Sequence, residues 1–217
     1  MPGRIHLVRH AEGLHNLRND HTILDAPLCQ RGFDFAEDLG RRFVREHSNS
    51  VGAITSSPLR RTIQTSLTAF KRILDTTQYL ENSGSGVNNG VMLSLDANLQ
   101  EITDLPCNSG SPKDRLVTEF PKLSPEIHKL DLNWHIKTGN RSPLPQSLPQ
   151  RKARILEKLQ ETLTNIQNRP GDNDIIVVTH QGVIALLAPT ANIPVGQWQT
   201  FDLKTDANGQ LSLQSVV

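Results

Sequence analysis

The sequence predicts an α/β protein whose central sheet is mostly parallel. Two runs carry this prediction: residues 5–8 are apolar except for His6, and residues 174–179 form a nearly continuous apolar strand. Strands that are buried on both faces of a parallel sheet have this composition. Helical patterns with apolar residues on one face occupy residues 30–44 and 149–168, between the strands. Strands and helices in alternation are typical of an α/β fold.

Length and charge limit the class of protein. A chain of 217 residues suits one domain, residues 1–217, with room for an insertion. Lys and Arg total 23 against 22 for Asp and Glu, a net charge of +1, so we expect neither nucleic acid nor an anionic membrane as a partner. Cys29 and Cys107 are too few for a disulfide framework, and we expect two reduced thiols, with one disulfide as the alternative.

The sequence also predicts where the protein resides. It contains no run of about 18 apolar residues, which argues against a membrane-spanning helix. The first predicted strand begins by residue 5, so we expect native structure and no signal peptide at this end of the chain. A cytoplasmic location is the resulting expectation.

The first strand ends in two residues suited to phosphoryl chemistry, Arg9 and His10. In a parallel α/β sheet, ligands bind beyond the carboxyl ends of the strands, so these side chains are expected to meet the substrate. Arginine supplies a fixed fork of donors for phosphate or carboxylate. Histidine can act as a nucleophile, an acid or a base.

A second helix start carries arginines. Before it we predict, in order, a polar loop at residues 17–30, a helix from Gln30 onward, and an apolar strand at residues 51–55. Pro58 suits the first turn of the next helix, which is predicted to run through residue 74. An anion near that helix start would be stabilised by backbone N–H groups and by Arg60 or Arg61.

The middle of the chain is rich in proline. A third strand is predicted at residues 91–95, and two acidic residues, Glu101 and Asp104, follow it. Residues 103–150 hold seven of the 13 prolines, which argues against long helices and favours a partly helical insertion. We expect this insertion to cap the functional site and to set the choice of substrate.

Regular structure returns near the end of the chain. The strand at residues 174–179 runs directly into His180, a second histidine at a strand end. Two further strands are predicted at residues 195–203 and 211–217. Asn208-Gly209 lies between them and indicates a hairpin.

Four separated blocks together resemble the motifs of the histidine phosphatase superfamily, the phosphoglycerate-mutase-like proteins. In that family the first strand ends in Leu-x-Arg-His-Gly-Glu-x-x-x-Asn, and the matching residues here are Leu7, Arg9, His10, Glu12 and Asn16. The later blocks, Ser-x-Leu-x-Arg-Ala-x-Gln-Thr, Leu-x-Glu and Val-x-His-Gly-Gly-Val-Ile, are matched at Arg61, at Leu99 with Glu101, and at His180. The resemblance implies a three-layer α/β/α sandwich with a mostly parallel sheet and the segment 103–150 as a cap.

The same resemblance implies a reaction, the hydrolysis of a small phosphorylated substrate without metal or cofactor. His10 would become a phosphohistidine, and Glu101 would serve as acid and base, with Asp104 as the rival acid. A protonated His180 would face the phosphoryl oxygens. We assign catalytic roles to His10, Glu101 and His180, and phosphate binding to Arg9, Arg61 and Asn16.

Departures from the family motifs leave alternatives open. Ala11 and Gln181 replace glycines, and Cys29 replaces a threonine or serine that would cap a helix. A catalytically weakened phosphate-binding protein is therefore one alternative. A phosphoglycerate-mutase-type phosphotransferase is another, although the chain is compact and lacks an extended mutase-type segment after Glu101.

A metal protein is a different class of function. Four histidines crowd the first 21 residues, but their spacing matches no zinc pattern, and we expect no metal site among them. They are His6, His10, His15 and His21.

Overall fold

One sheet runs through the part of the chain that the computed structural model describes, which is residues 3–47, 50–78, 86–140, 142–145, 147–166 and 173–216. Its strands are β1 (Arg4–Arg9), β2 (Val51–Ser56), β3 (Leu93–Leu95), β4 (Asp174–Thr179), β5 (Trp198–Thr205) and β6 (Leu211–Ser215). The helices are α1 (Leu14–Arg18), α2 (Gln30–His47), α3 (Arg60–Ala69), α4 (Lys113–Glu119), α5 (Ser124–Lys129), α6 (Leu148–Ile166) and α7 (Gln181–Leu187).

The strand order brings three strand ends together. In the described residues the order is β3-β2-β4-β1-β5-β6, and the first four of these strands are parallel to one another. Strand β5 pairs antiparallel with β1, and β6 pairs antiparallel with β5. The carboxyl ends of β1, β4 and β2 therefore lie side by side at one edge, where α/β sheets bind ligands. The predicted mostly parallel sheet is confirmed.

Apolar side chains cover both faces of this sheet. Because side chains alternate along a strand, Ile5 and Leu7 face one layer and Val8 faces the other. The layer against Val8 contains α2 and α3, with Phe43 and Ile63 in its core. The opposite layer contains α6 and α7. Helices on both faces of the sheet confirm the predicted three-layer α/β/α sandwich.

Several element boundaries differ from the predictions. The predicted loop at 17–30 overlaps the short helix α1, whose first turn is fixed by a hydrogen bond from the Gly13 N–H to Asn16 Oδ1 (3.0 Å). Helix α3 ends at Ala69, short of residue 74, and β3 begins at Leu93, since Val91 makes an isolated bridge. Strand β5 begins at Trp198 because the chain turns first, at Gly196 with φ +67°.

Two other elements follow the predictions closely. Strands β5 and β6 form the predicted hairpin, with Gly209 at φ +80° in its turn. Helix α6 covers residues 148–166, where residues 149–168 were predicted to be helical. Residues 167 and 168 lie outside the described residues.

The proline-rich segment is partly helical and packs on the α2–α3 layer. It carries α4 and α5, and a short 3₁₀ helix at Pro106–Asn108 precedes them. Leu116, Phe120 and Trp134 are buried in the same apolar cluster as Phe43. Its role as a cap stays a prediction, as does the description of residues 1–217 as a single domain.

Both cysteines are free thiols buried in the protein. Cys29 accepts a hydrogen bond from the Gly32 N–H through Sγ (3.3 Å), at the start of α2. The Cys29 thiol also donates a hydrogen bond to Glu12 Oε2, with Sγ and Oε2 3.2 Å apart. The thiol therefore supplies the helix-start contact that a hydroxyl gives in the family motif.

None of the helices in the described ranges is long and apolar enough to span a membrane. The cytoplasmic location stays a prediction.

Candidate active site

His10 lies immediately after β1, and its two ring nitrogens have different partners. Nδ1 is 2.7 Å from the backbone oxygen of Ala11, to which only an N–H can donate. Nε2 accepts a hydrogen bond from Arg61 Nε at 3.2 Å. Burial and the charge of Arg61 hold the pKa of His10 well below its ordinary value. The ring is therefore neutral near pH 7, with its proton on Nδ1 and its lone pair on Nε2.

Arg61, in the first turn of α3, joins the two strand-end histidines. Besides His10, its guanidinium contacts His180 Nδ1 through Nη2 at 3.0 Å. It also donates to the Cys107 carbonyl (2.7 Å) and to Asn108 Oδ1 (2.8 Å). The side chain is 1% exposed, and burial lowers the pKa of Arg61 to about 10, so it stays protonated near pH 7.

His180 follows β4 and completes the cluster. Its ring centroid is 5.0 Å from that of His10, and its Nε2 is 2.9 Å from Ser57 Oγ. The pKa of His180 lies well below its ordinary value because the ring is completely buried and faces Arg61. In the unliganded protein His180 is thus neutral, and the protonated ring expected beside a bound phosphoryl group stays a prediction.

The imidazoles of His10 and His180 thus both contact the guanidinium of Arg61, although the three residues come from separate parts of the chain. The model of the histidine phosphatase superfamily (branch 1) matches residues 5–84 and 70–215, which include all three. The chain belongs to the histidine phosphatase superfamily.

Relatives and solved structures agree with this assignment. A phosphoglycerate mutase-like protein of Arabidopsis thaliana is 31% identical over 207 residues, covering 83% of this chain and 71% of the relative. The mycobacterial glucosyl-3-phosphoglycerate phosphatase complexed with VO3 matches with a TM-score of 0.60 and 17% identity, over 99% of this chain and 98% of that one. A phosphoserine phosphatase mutant of Entamoeba histolytica, in complex with phosphoserine, matches with a TM-score of 0.52 and 16% identity, over 98% and 95%. The two structures share the fold of this superfamily member.

Glu101 lies close to the cluster of His10, Arg61 and His180, and two backbone N–H groups hold its carboxylate. The N–H groups of Ile102 (2.7 Å) and Gly182 (3.2 Å) donate to its two carboxylate oxygens. A Cβ at position 182 would overlap with Glu101 Oε1, so this contact requires glycine there. Burial lowers the pKa of Arg9 and of Arg61, and the charge of Glu101 offsets part of this lowering.

Asp104, the rival acid, is exposed, and its charge offsets a small part of the lowering of the Lys137 pKa to about 8 that burial causes. Lys137 donates to the backbone oxygens of Glu101 and Thr103, both at 2.6 Å. The choice of Glu101 over Asp104 as the acid stays a prediction, and the interaction of the Glu101 charge with Arg9 and Arg61 is consistent with it.

The two remaining predicted phosphate ligands differ in their place, and only for Arg9 does the described part of the chain show an interaction with the cluster. Arg9 is half-buried and donates from Nη1 to the Ile193 carbonyl at 3.2 Å, while its buried Nε has no hydrogen-bond partner among the described residues. Asn16 is exposed at α1 and accepts the Gly13 N–H, as described above. Arg9 thus offers a buried donor near Glu101, whereas Asn16 also has a local structural task.

Three residues at the site were missed by sequence reasoning. Ser57 directly follows β2, so the strand-end rule that found His10 also applies to it. Asn108 comes from the irregular segment, which carries no sequence signal for its position. His15 lies within the first motif, with its ring centroid 6.0 Å from that of His10.

The residues that replace family glycines fit the observed backbone. Ala11 is fully buried, and its N–H donates to Thr65 Oγ1 at 3.0 Å. Gln181 begins α7, and within the described part of the chain its buried Oε1 has no hydrogen-bond partner. Neither substitution displaces His10 or His180 from Arg61.

The buried imidazoles predict a loss of stability in acid. Burial lowers the pKa of His15 to about 4, and the pKa values of His10 and His180 are also low. In the unfolded chain these rings take up protons near pH 6.5, whereas in the folded protein they do not. The free energy of unfolding should therefore fall as the pH drops from 6.5 towards 4. An imidazole that stays neutral at pH 5 contributes at most about 2 kcal/mol to this fall.

Urea denaturation at pH 7 and pH 5 measures this effect. The matched variant His10→Asn removes one of the three rings, so its stability should fall less between the two pH values. Equal stability of the wild type at both pH values would contradict the predicted protonation states.

Proposed function

We propose that the protein is a phosphomonoester hydrolase that acts through a phosphohistidine on Nε2 of His10. One observation carries this proposal. The guanidinium of Arg61 contacts Nε2 of His10 and Nδ1 of His180, so a nucleophile and two phosphate-binding groups converge at one point. Family membership supports the same activity.

The first step is attack on phosphorus. The Nε2 lone pair of His10 forms the P–N bond while the bond from phosphorus to the ester oxygen breaks. Nδ1 keeps its proton and donates it in a hydrogen bond to the Ala11 carbonyl oxygen. This hydrogen bond stabilises the positive charge that develops on the ring. Glu101 takes up a proton as the anionic phosphate binds beside it and gives that proton to the departing alcohol oxygen.

The second step releases phosphate. A water molecule attacks phosphorus opposite the P–N bond, and the Glu101 carboxylate accepts its proton. The P–N bond breaks with its electron pair returning to Nε2, so His10 and Glu101 regain their starting states. The products are the alcohol and inorganic phosphate.

Positive charge at the phosphoryl oxygens comes from side chains of this chain. Arg61 and Arg9 are charged, and a dianionic phosphate beside His180 would raise the pKa of that ring. Donors aimed at oxygens whose charge grows in the transition state lower the barrier. The proposed reaction therefore needs no metal ion.

A small phosphorylated molecule is the proposed substrate. The structural neighbours include a glucosyl-3-phosphoglycerate phosphatase and a phosphoserine phosphatase, and the substrates in these names carry a phosphate on a small polar molecule. We propose the same class here and leave the particular compound to a screen of phosphorylated metabolites.

Trapping the phosphoenzyme tests the proposal. Purified protein with p-nitrophenyl phosphate and EDTA should release nitrophenol and inorganic phosphate in equal amounts. Rapid quenching with radiolabelled substrate should leave a protein label that survives alkali and is lost in acid, as expected for phosphohistidine. An acid-stable label would place the phosphate on another residue, and turnover without any label would exclude the covalent route.

The phosphotransferase alternative differs in the acceptor of the phosphate. A mutase would form the same phosphoenzyme but return the group to a hydroxyl of the substrate. With phosphoglycerate as substrate, isomerisation without release of inorganic phosphate would favour that alternative over a hydrolase.

Removal of the proposed acid gives a graded prediction. Glu101→Gln should lower kcat for an alkyl phosphate about 100-fold, in the range typical of general acid catalysis. The loss should be smaller for p-nitrophenyl phosphate, whose leaving group departs without a proton. The matched variant Asp104→Asn should change both rates little, because that side chain is exposed. The reverse order of effects would make Asp104 the acid.

A further inference from the structure

A second group of ionisable side chains lies away from the phosphoryl site. His6 in β1, His47 at the end of α2 and Asp174 at the start of β4 each present one ligand atom, and these three atoms lie within 4.8 Å of one another. His6 precedes His10 by four residues, which corresponds to about 13 Å along a strand. The group therefore plays no part in the chemistry proposed at His10.

His6 is an unusual residue for its position. It is fully buried in a strand whose other interior residues, Ile5, Leu7 and Val8, are apolar. Its Nε2 lies 3.2 Å from Asp174 Oδ2, and its Nδ1 lies 3.0 Å from Thr200 Oγ1. A hydroxyl can donate or accept, so Thr200 permits either tautomer of the ring. Nε2 can thus present a lone pair while Nδ1–H donates to Thr200.

Asp174 is held in the same manner. Its Oδ1 accepts the Arg4 N–H at 2.8 Å, and the Ser50 side chain also bonds to the carboxylate. These contacts and that of His6 lower the pKa of Asp174, which outweighs the opposite effect of burial. Metal-binding histidines and carboxylates in proteins are oriented by such outer contacts, which leave one atom of each side chain for the metal.

The distance between two of the three ligand atoms suits a tetrahedral ion. Zinc ligands 2.0–2.2 Å from the metal are separated by about 3.4 Å in a tetrahedron, and His6 Nε2 and Asp174 Oδ2 are already 3.2 Å apart. The third ligand, His47, ends its helix and its side chain is 19% exposed. The ligand nitrogen of His47 lies within 4.8 Å of the other two ligand atoms, and rotation of the ring would bring it closer to them. The partial exposure of His47 gives the ion a path from solvent.

We propose that His6, His47 and Asp174 form a zinc site that ties the end of α2 to β1 and β4. Two nitrogens and one carboxylate oxygen are a ligand set that zinc uses, with the fourth position open to water or another small ligand. The ion would stabilise the fold at the end of the sheet opposite to His10. This proposal is independent of the proposed phosphatase activity.

Metal titration of the untagged, EDTA-treated protein tests the site. Zinc at 100 times its Kd should raise Tm by about 5 °C, and Co²⁺ should give the visible absorption of a tetrahedral complex. His47→Gln removes the most accessible ligand with little disturbance of the core, and it should abolish both signals. His128→Gln, an exposed histidine on α5 that contacts Ser124, should preserve both.

The N-terminal histidines provide a competing site that the same experiment detects. His15 and His21 lie near each other, with ring centroids 6.2 Å apart. Metal binding that survives His47→Gln and is lost in His21→Gln would overturn the proposal. So would the absence of any zinc effect on Tm at millimolar metal, which would leave a hydrogen bond between His6 and Asp174 without a metal.

Discussion

His10→Ala should reduce phosphatase turnover at least about 10⁴-fold, the largest effect expected of any single substitution in this protein. The neutral ring of His10 holds its lone pair on Nε2, beside Arg61, while its Nδ1–H donates to the Ala11 carbonyl. Loss of the ring removes the covalent route, and water would have to attack the phosphate ester directly. Turnover of p-nitrophenyl phosphate and the acid-labile label should disappear together.

A second variant separates chemistry from folding. His10→Asn keeps an N–H donor near the position of Nδ1, so the contact with the Ala11 carbonyl can persist without a nucleophile. This variant should have near-normal Tm at pH 7, bind inorganic phosphate or vanadate, and show no turnover. Turnover in either variant near the wild-type rate would remove His10 from its role. Full activity loss with an unfolded His10→Ala but an active His10→Asn would indicate a structural role only.

The strand-end residues were predictable because sheet topology limits where they go. A parallel sheet gathers the carboxyl ends of its strands at one edge, so any residue that directly follows an apolar strand is a candidate. His10 after β1 and His180 after β4 were found in this way, and the family motif added Arg61. His10, His180 and Arg61 converge because β1, β4 and β2 are neighbours in the sheet. The apolar runs in the sequence do not determine this strand order, whereas the fold of the family does.

Other features depend on tertiary contacts that have no pattern in the sequence. Asn108 reaches Arg61 from a 3₁₀ helix of only three residues, which is too short to show a periodicity in the sequence. The neutral state of His180 results from its complete burial, which a strand-end position does not reveal. His6 meets Asp174 through the register that pairs Ile5 with Ile175, a one-residue choice that apolar runs leave open.

Arg61→Lys is the second substitution with a large expected effect, a loss of about 100-fold in kcat/KM. Lysine keeps the positive charge but lacks the planar fork, and it cannot contact His10 and His180 at the same time. The loss of one such donor to a developing oxyanion typically costs this much. The wild-type side chain makes four contacts, to His10, His180, Asn108 and the Cys107 carbonyl. The measurement is steady-state hydrolysis of p-nitrophenyl phosphate, together with the Ki of vanadate as a phosphate analogue.

Arg60→Lys is the matched control, since it makes the same chemical change one residue earlier on α3. Arg60 pairs with Glu119 at 2.6 Å and touches the Asp25 carbonyl, away from both histidines. We expect its kcat/KM to stay within about threefold of the wild type, because a partly exposed ion pair contributes little. Equal losses in the two variants would mean that both act through the stability of α3, which a parallel fall in Tm would show. A loss confined to Arg61→Lys, with weaker vanadate inhibition and unchanged Tm, would show that the guanidinium fork acts on the phosphoryl group itself.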